Sequence, residues 1–474
     1  MDVQEVQSDW AAMRAEFPQG VSIIASSFEE WAAAALTPAT LSTLPVIDIE
    51  MGDTWVHGVS ADSLKTAIWR GGSALRAQCL REGHCLSTDP ALANFTRLFL
   101  KNAEHTWAHD SKSYPGDYTH WDNAALALAR ATLPSFFNAT ASYVEQRDYG
   151  IRWAIEALPV GSWLRSRMDA MVASLRPPPP PQPSTAGGYT RLALGQRVNA
   201  GRFSLAFGGG ATQPAGITGL LDRVTGVEWG GGLGVPQYVT YTSEDFQDFI
   251  ANYSILPSPA ATWWFEADYG RPNMSALVPT WQHLDLLATA GELWVLNGTT
   301  STTFLLSSAF EAGAARDYGA PAALWTAFDI PHGASGVIKV TLLAYGKQAS
   351  RVGEGLFFQA RAAPPGQWRV DKLGTPINPY SGIVENGNFH HHASLGGGVF
   401  TEVQGGHSFA YASTECALVN VGASVLLPSP FSPVTDTSLL SFYLQNNAWS
   451  TNYPLWYPFE EGDGDLQWHF SFSF

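Results

Sequence analysis

The stretch of the sequence richest in reactive side chains is KNAEHTWAHDSK, residues 101 to 112. It sets two carboxylates and two imidazoles around Trp107, with almost nothing apolar that a core would need. These are Glu104, His105, His109 and Asp110. The two histidines are four residues apart and would share one face of a helix. Imidazole with carboxylate suits zinc, but a loop held by its own hydrogen bonds has the same composition, so both interpretations stay open.

A second polar cluster, EMGDTWVHGVSAD, follows the predicted strand LPVIDIE. Asp53, Trp55 and His57 would then lie at the carboxyl end of a parallel strand, where α/β barrels carry their active sites. The alternative is that Asp53 only caps a turn that contains Gly52. Asp62 precedes a predicted helix, and an N-cap is the favoured interpretation for it.

Three consecutive histidines occur in VENGNFHHHASLGGG, at His390, His391 and His392. Side chains alternate along a strand, so neighbouring histidines alone would make a poor three-ligand metal site. The favoured prediction is a surface loop.

The composition is that of a globular protein with many short strands and turns. The 474 residues are 45% hydrophobic and only 14% charged, with 45 glycines, 30 prolines and 18 tryptophans. A net charge of −16 argues against a nucleic-acid partner and is compatible with a neutral ligand. The sequence contains no run of about 18 apolar residues, so it predicts no membrane span.

Signals for export are mixed. The first ten residues lack the basic and apolar regions of a signal peptide, so we expect the chain as it stands not to be exported. Five Asn-x-Ser/Thr sequons give weak support for a secreted or endomembrane full-length form. They are at Asn94, Asn138, Asn252, Asn273 and Asn297. Of the three cysteines, Cys79 and Cys85 are close enough to pair if oxidised, although structural thiols are the default expectation.

The pattern predicts several domains that mix helices and strands. Residues 1–115 alternate helices with the strands GVSIIAS and LPVIDIE, and two strands cannot complete a parallel sheet. This segment therefore predicts the C-terminal part of an α/β barrel; the alternative is that another chain supplies the missing strands. Residues 116–175 predict a helical bundle, 176–187 a proline-rich linker, and 188–474 a large β-sandwich with alternating strands.

Four longer motifs carry a resemblance to a known family. They are PVIDIEMGDTWVHGVSADSLK, EHTWAHDSK, WRVDKLGTPINPYSGIVENGNFHHHASLGGG and LQNNAWSTNYPLWY. They resemble, in order, motifs of the family called domain of unknown function 5054, whose members are similar to glycoside hydrolase family 38, the α-mannosidase-like enzymes. The resemblance implies a barrel, a helical bundle and a β-sandwich. It also implies retaining hydrolysis of glycosidic bonds by two carboxyl groups, with a zinc ion at the sugar.

The resemblance implies roles for individual residues. It makes His105 a zinc ligand, gives His109 no part, and implies sugar contacts by five others. These are Asp53, Trp55, His57, Trp107 and Asp110. The motif for the other zinc ligands and the strand for the nucleophile have no counterpart in this sequence, so we expect the chain as it stands to be inactive. The alternative function is a non-catalytic carbohydrate-binding or structural β-sandwich protein.

Overall fold

The computed structural model describes most of the chain and shows two compact units, residues 1–49 and 50–474. The described residues are 3–17, 19–46, 49, 56–104, 108–109, 116–208, 213–253, 268–384, 387–424, 433–448 and 453–474.

The first unit contains three helices: α1 (Val3–Glu16), α2 (Phe28–Ala35) and α3 (Pro38–Leu41). Ser27 caps α2 in a capping box with Glu30. None of the residues in these helices is buried.

The partial α/β barrel predicted for residues 1–115 is not confirmed. The strand predicted over residues 20–26 is not formed, because residues 21–27 have no regular secondary structure and Ile24 is 75% exposed. Of the second predicted strand, residues 45 and 46 are also irregular, and most of the remainder lies outside the described residues. A strand needs a neighbour to satisfy its backbone groups, and the described residues between 3 and 104 provide none.

Helices of the second unit lie mainly before residue 175. They are α4 (Ser63–Arg81), α5 (Pro90–Phe99), α6 (Asn123–Thr132), α7 (Pro134–Arg147), α8 (Trp153–Glu156) and α9 (Trp163–Ser174), followed later by α10 (Ser243–Tyr253) and α11 (Met274–Leu277). Short 3₁₀ helices span His57–Ser60, Leu100–Ala103 and Thr185–Gly187, and π turns span Asp148–Arg152 and Ala314–Tyr318.

Helices α4, α5, α8 and α9 enclose an apolar cluster that includes Phe95, Phe99 and Met168. The cluster extends to Cys79, which is bonded to Cys85 in a disulfide at the end of α4. The default expectation of free thiols is therefore wrong for this pair. The separate helical bundle predicted for residues 116–175 is not confirmed, because α4 and α5 pack with its helices. No helix among the described residues has the length and apolar character needed to cross a bilayer.

After residue 189 the described chain is dominated by strands. They are β1 (Thr190–Leu192), β2 (Val198–Ala200), β3 (Phe203–Phe207), β4 (Ile217–Asp222), β5 (Gly230–Thr240), β6 (Leu284–Leu287), β7 (Thr289–Asn297), β8 (Ser301–Ala309), β9 (Ala323–Pro331), β10 (Val337–Tyr345), β11 (Glu354–Ala362), β12 (Gly366–Lys372), β13 (Thr375–Ile377), β14 (His391–Ala393), β15 (Gly397–Glu402), β16 (Ser408–Ala412), β17 (Leu418–Val421), β18 (Leu439–Asn446) and β19 (Leu466–Ser473).

These strands form two antiparallel sheets, which confirms the prediction of a large β-sandwich. One sheet has ten strands in the order β1-β7-β8-β9-β10-β19-β16-β15-β12-β13. The other has the order β14-β17-β18-β11-β5-β4-β3-β2, with β6 also paired to β5. Side chains from both sheets, such as Phe358, Phe442 and Phe470, meet in one apolar core. Strand β9 alternates buried with half-buried residues, as the sequence pattern predicts.

The proline-rich segment 176–187 joins the helices to the sandwich. Its residues have little regular structure before the 3₁₀ turn Thr185–Gly187. The Tyr345 hydroxyl donates a hydrogen bond to the Pro178 carbonyl at 2.9 Å. The domain boundary that the sequence predicts at this segment stays a prediction.

A buried ion-pair network, which we call the Arg147 network, joins helices α4 and α7 to residues 460–463, which lie between β18 and β19. Arg147 at the end of α7 donates from Nε and Nη2 to both oxygens of Asp62, at 2.7 and 2.8 Å. Its Nη1 donates to Asp463 at 2.9 Å and to Glu460 at 2.6 Å. Burial opposes the charged guanidinium, but the neighbouring carboxylates, Asp62 first, outweigh it and keep the pKa of Arg147 well above its ordinary value.

Replacing Arg147 with Met should lower the free energy of unfolding by about 3–5 kcal/mol, because Asp62 and Asp463 would remain buried without their partner. The matched control is Arg152→Met. Arg152 also pairs with Glu460, but its side chain is 46% exposed, and such pairs contribute about 0–1 kcal/mol. Urea unfolding followed by circular dichroism measures both effects. Equal losses for the two variants would contradict the central role of Arg147.

Candidate functional site

Most of the site residues implied by the sequence fall outside the described part of the chain. Asp53, Trp55, His105, Trp107 and Asp110 lie outside the described residues, and of His57 only the backbone lies within them. Their neighbours Gly58 and Glu104 are described, and these two residues line the same cleft.

Both clusters lead to the same cleft, which we call the motif cleft. Its volume is about 240 Å³, and its walls include Gly58, Lys65, Trp69, Asn102, Glu104 and Tyr453. Gly58 directly follows His57, and Glu104 directly precedes His105. The structure thus brings the described ends of the two predicted clusters together.

The sandwich holds the 3₁₀ helix His57–Ser60 in place. The Ser60 hydroxyl donates to the Tyr443 carbonyl on β18 at 3.2 Å. A Cβ atom on Gly58 would lie 2.1 Å from Cζ of Tyr453, so only glycine permits this close approach. The glycine in the motif VHGVS is therefore a packing requirement of the cleft wall.

Lys65 is the most unusual ionisable group in the cleft. It lies in the first turn of α4 and is only 4% exposed. Burial lowers the pKa of its ammonium group from 10.5 to about 7, against the opposing charge of Asp62. Arg147 lowers the pKa further, and Glu104 raises it. An amine that titrates near neutral pH can donate or accept a proton under physiological conditions.

The predicted cap at Asp62 is confirmed and accounts for the position of Lys65. One Asp62 oxygen accepts a hydrogen bond from the Lys65 backbone N–H at 3.1 Å, which fixes the start of α4. The same carboxylate is held by Arg147. The Arg147 network therefore positions the helix that carries Lys65 and Trp69 into the cleft.

Arg70 lines the cleft, but its guanidinium is hydrogen-bonded to the protein backbone. Its guanidinium donates to the carbonyls of Thr414 and Ser394, each at 2.9 Å, and to that of Leu395. These bonds tie α4 to turns of the sandwich. We therefore assign Arg70 to the support of the cleft.

The remaining walls supply aromatic and polar surface. Trp69 packs against Phe99, with ring centroids 5.0 Å apart, and is half-buried. The Asn102 amide donates to the carbonyls of Phe99 and Gly150 at 2.8 and 2.6 Å. Glu104 is exposed. The cleft thus combines an aromatic side chain with a carboxylate and a buried amine, a mixture typical of small-ligand sites.

A metal site is not visible in the part of the chain that the structure describes. No group of three or more His, Cys, Asp or Glu side chains within the described residues is placed to hold a metal ion. The implied ligand His105 lies outside those residues. Zinc therefore stays a prediction from the resemblance.

The prediction of a surface loop at the three histidines is wrong. His390, His391 and His392 are 5%, 1% and 1% exposed, because the segment forms β14 and pairs with β17 at the sheet edge. His390 Nδ1 lies 3.2 Å from the Val421 carbonyl, and His392 Nε2 lies 3.0 Å from the Phe389 carbonyl. Burial lowers the pKa of His392 to about 3. These rings are structural in character.

Sequence reasoning missed a polar row on the nine-stranded sheet. Asn420 on β17 lies opposite Ser441 on β18, which lies opposite Gln359 on β11, and opposite residues share one face. Among the described residues, neither the Asn420 amide group nor the Ser441 hydroxyl has a hydrogen-bond partner, although both residues are fully buried. The only signal in the sequence is a single polar residue within each apolar run, as in ALVNV.

A cavity of about 650 Å³ lies elsewhere, between α10 and the start of α11. Two of its polar side chains bond to the protein: Ser243 donates to the Arg271 carbonyl at 3.2 Å, and Ser275 donates to Glu244 at 3.0 Å. The sequon asparagine Asn273 is among the lining residues, but no described residue of the two predicted site clusters is. The motif cleft is smaller, but its lining combines the buried amine of Lys65, the carboxylate of Glu104 and the ring of Trp69.

Residues 59–339 match the family described as Domain of unknown function (DUF5054). The chain belongs to this family. The match begins at the 3₁₀ helix of the motif cleft and includes α4 and Glu104. No curated protein matches this DUF5054 protein.

Solved structures with a partial likeness include two galactose mutarotase-like proteins and an aldose 1-epimerase. The first, from Lactobacillus casei, has a TM-score of 0.29 at 7% identity and covers 60% of this chain and 99% of its own. The epimerase, from Escherichia coli, scores 0.26 at 11% identity over 60% and 99%. The third, from Clostridium acetobutylicum, scores 0.26 at 10% identity over 60% and 97%. Likenesses this weak do not bear on the activity of the DUF5054 protein, and its similarity to glycoside hydrolase family 38 stays a prediction.

The titration of Lys65 predicts how stability depends on pH. Because the pKa is about 7 in the folded state and 10.5 ordinarily, the unfolded chain binds one more proton between these values. The free energy of unfolding should therefore rise as the pH increases from about 7 to about 10, by at most about 1.4 kcal/mol per pH unit.

Lys65→Met should remove this contribution, while the control Lys101→Met, at an exposed position, should leave the pH dependence unchanged. Urea unfolding at several pH values measures both. The same slope in wild type and Lys65→Met would show that Lys65 keeps an ordinary pKa.

Proposed function

We propose that this protein is glycoside hydrolase-like and binds a neutral carbohydrate in the motif cleft. The observation that carries the proposal is the convergence of two sequence motifs on one cleft. The segments around Gly58 and Glu104 each belong to motifs for which the family resemblance implies sugar contacts. They are about 45 residues apart in the sequence, and nothing in their local patterns requires them to meet.

The chemistry of the cleft suits a sugar. Trp69 offers an aromatic ring against which the apolar face of a pyranose can pack. Glu104 can accept hydrogen bonds from hydroxyl groups, and a charged partner strengthens such bonds. The volume of about 240 Å³ accommodates a ligand of small size, in line with one sugar unit.

The charge of the chain supports a neutral ligand. The net charge of −16 disfavours polyanions. Arg70, a cation that could have held an anionic group in the cleft, is instead bonded to three backbone carbonyls. The cleft therefore suits a neutral ligand that is recognised through its hydroxyl groups.

Retaining hydrolysis is the finer part of the proposal. It requires two carboxyl groups about 5–5.5 Å apart, one as nucleophile and one as acid and base. Glu104 is the carboxylate in the described wall of the cleft. The resemblance finds no nucleophile strand in this sequence, so the second carboxyl group stays unassigned. Asp53 and Asp110 are implied as sugar contacts, and zinc would be held by His105 with further ligands.

A non-catalytic role is the second candidate, and a specific observation favours it. Lys65, Arg70 and Asn102 all lie against the cleft, yet Arg70 and Asn102 bond mainly to backbone carbonyls. Such groups stabilise the junction between α4 and the sandwich whether or not a ligand is present. In that case the cleft would bind sugar weakly or not at all.

Sugar binding can be tested by titrating methyl α-mannoside into the protein in a calorimeter. Trp69→Ala and Glu104→Gln should each weaken binding at least about tenfold, because a lost contact worth about 1.4 kcal/mol has that effect. Trp153→Ala is the matched control, since Trp153 is 51% exposed and outside the cleft. Circular dichroism checks the fold of each variant. Unchanged binding in both cleft variants would exclude the motif cleft as the sugar site.

Zinc binding is tested with histidine variants, and 4-nitrophenyl α-mannoside tests the expectation that the chain as it stands is inactive. If His105 is a ligand, His105→Ala should lose most of any bound zinc, because a structural or catalytic site has only about four ligands. His109→Ala is the matched control, since the family pattern gives His109 no part. Equal zinc content in wild type and His105→Ala contradicts the assignment, and loss in His109→Ala alone identifies the other histidine.

A further inference from the structure

The asparagines of this protein fall into two groups with different burial. The structure describes thirteen of them, and the five in Asn-x-Ser/Thr sequons are all exposed: Asn94, Asn138, Asn252, Asn273 and Asn297. Of the other eight, only Asn199 is exposed; the rest are Asn102, Asn123, Asn378, Asn388, Asn420, Asn446 and Asn447. Sequons that arose by chance would follow the burial of asparagines in general. These do not.

A buried asparagine side chain in this fold is enclosed by protein, and some of these amides hold backbone groups in place. Asn447, for example, accepts a hydrogen bond from the Glu354 backbone N–H at 2.6 Å and donates to the Ser350 carbonyl at 2.7 Å. Such an amide has no room for a substituent. The exposed sequon asparagines are the ones whose side chains can carry a large polar group without disturbing the core.

The local settings of the sequons are also open. Asn297 lies at the turn between β7 and β8, where Gly298 and Ser301 are hydrogen-bonded across the hairpin. Asn273 has a positive φ of 64° ahead of α11. Asn94 lies on the exposed side of α5. None of the five sequon asparagines is among the lining residues of the motif cleft, so a substituent on them would leave the proposed sugar site open.

A second, independent observation points to the same compartment. Cys79 and Cys85 form a disulfide, and disulfides persist in oxidising environments such as the lumen of the secretory pathway. N-linked glycans are added to sequons in that pathway. Oxidised cysteines and exposed sequons therefore agree on where the chain folds.

We propose that this protein matures in an oxidising secretory compartment and carries N-linked glycans on its exposed sequon asparagines, with Asn297 the principal site. In the transfer, the Nδ2 atom of asparagine forms a bond to the anomeric carbon of a lipid-linked oligosaccharide diphosphate. The bond from that carbon to the diphosphate oxygen breaks, the lipid diphosphate leaves, and the amide gives up one proton. The donor and the transferase are those of the host cell.

The test uses the protein isolated from its natural source. Treatment with peptide N-glycosidase in ¹⁸O-water converts each glycan-bearing asparagine to aspartate labelled with ¹⁸O, which peptide mass spectrometry detects. We expect the label at Asn297 and at other sequons, and none at Asn199, the exposed asparagine without a sequon. Recovery of the Asn297 peptide only in its unmodified form overturns the proposal.

Variants and thiol labelling supply the control measurements. Expressed in cells of the source organism, Asn297→Gln should migrate faster by one glycan on an electrophoresis gel, whereas Asn199→Gln should migrate as wild type. Alkylation without reduction should label Cys416, the remaining cysteine, only after unfolding, because it is buried. Labelling of Cys79 and Cys85 in the unreduced, unfolded protein would show free thiols and contradict an oxidising compartment.

Discussion

The second unit depends on one buried guanidinium. Arg147 meets carboxylates from the start of α4 and from the turn at residues 460–463, so it compensates charges that the interior could not hold alone. Because Asp62 also caps α4, this pairing fixes where the helix begins. The position of Lys65, and with it the low pKa of its amine, follows from that start.

The cleft exists because a helical segment lies over the outer face of a sheet. Neighbouring residues of β18 illustrate the division: Phe442 packs in the core between the sheets, whereas Tyr443 packs in a second apolar cluster with Val56 and Ala61. The short helix after His57 covers that second cluster, and α4 continues from it. The cleft forms along this junction, where aromatic and ionisable side chains from both sides meet.

Sequence patterns predicted the features that depend on residues close together in the sequence. Alternation predicted the sandwich, and Asp62 was recognisable as a cap because a cap needs only the next turn of helix. Features set by distant partners were not predictable in this way. The segment around residues 20–26 looked like a strand but has no partner strand among the described residues, and His391 looked exposed but pairs with Asn420. The candidate cleft is defined through Gly58 and Glu104, since most implied site residues lie outside the described residues and their roles stay predictions.

The polar row of the nine-stranded sheet constrains how its strands can align. Asn420 and Ser441 now lie on the face away from the main core, while Val421 and Phe442 fill it. A slip of one residue in pairing would exchange the two sets and bring an amide and a hydroxyl into the apolar interior. The same slip would move Val421 and Phe442 out of the core between the sheets, and that loss of apolar burial is costly. The alternation of polar and apolar residues on β17 and β18 therefore acts against misregistered pairing and the aggregation-prone states that it produces.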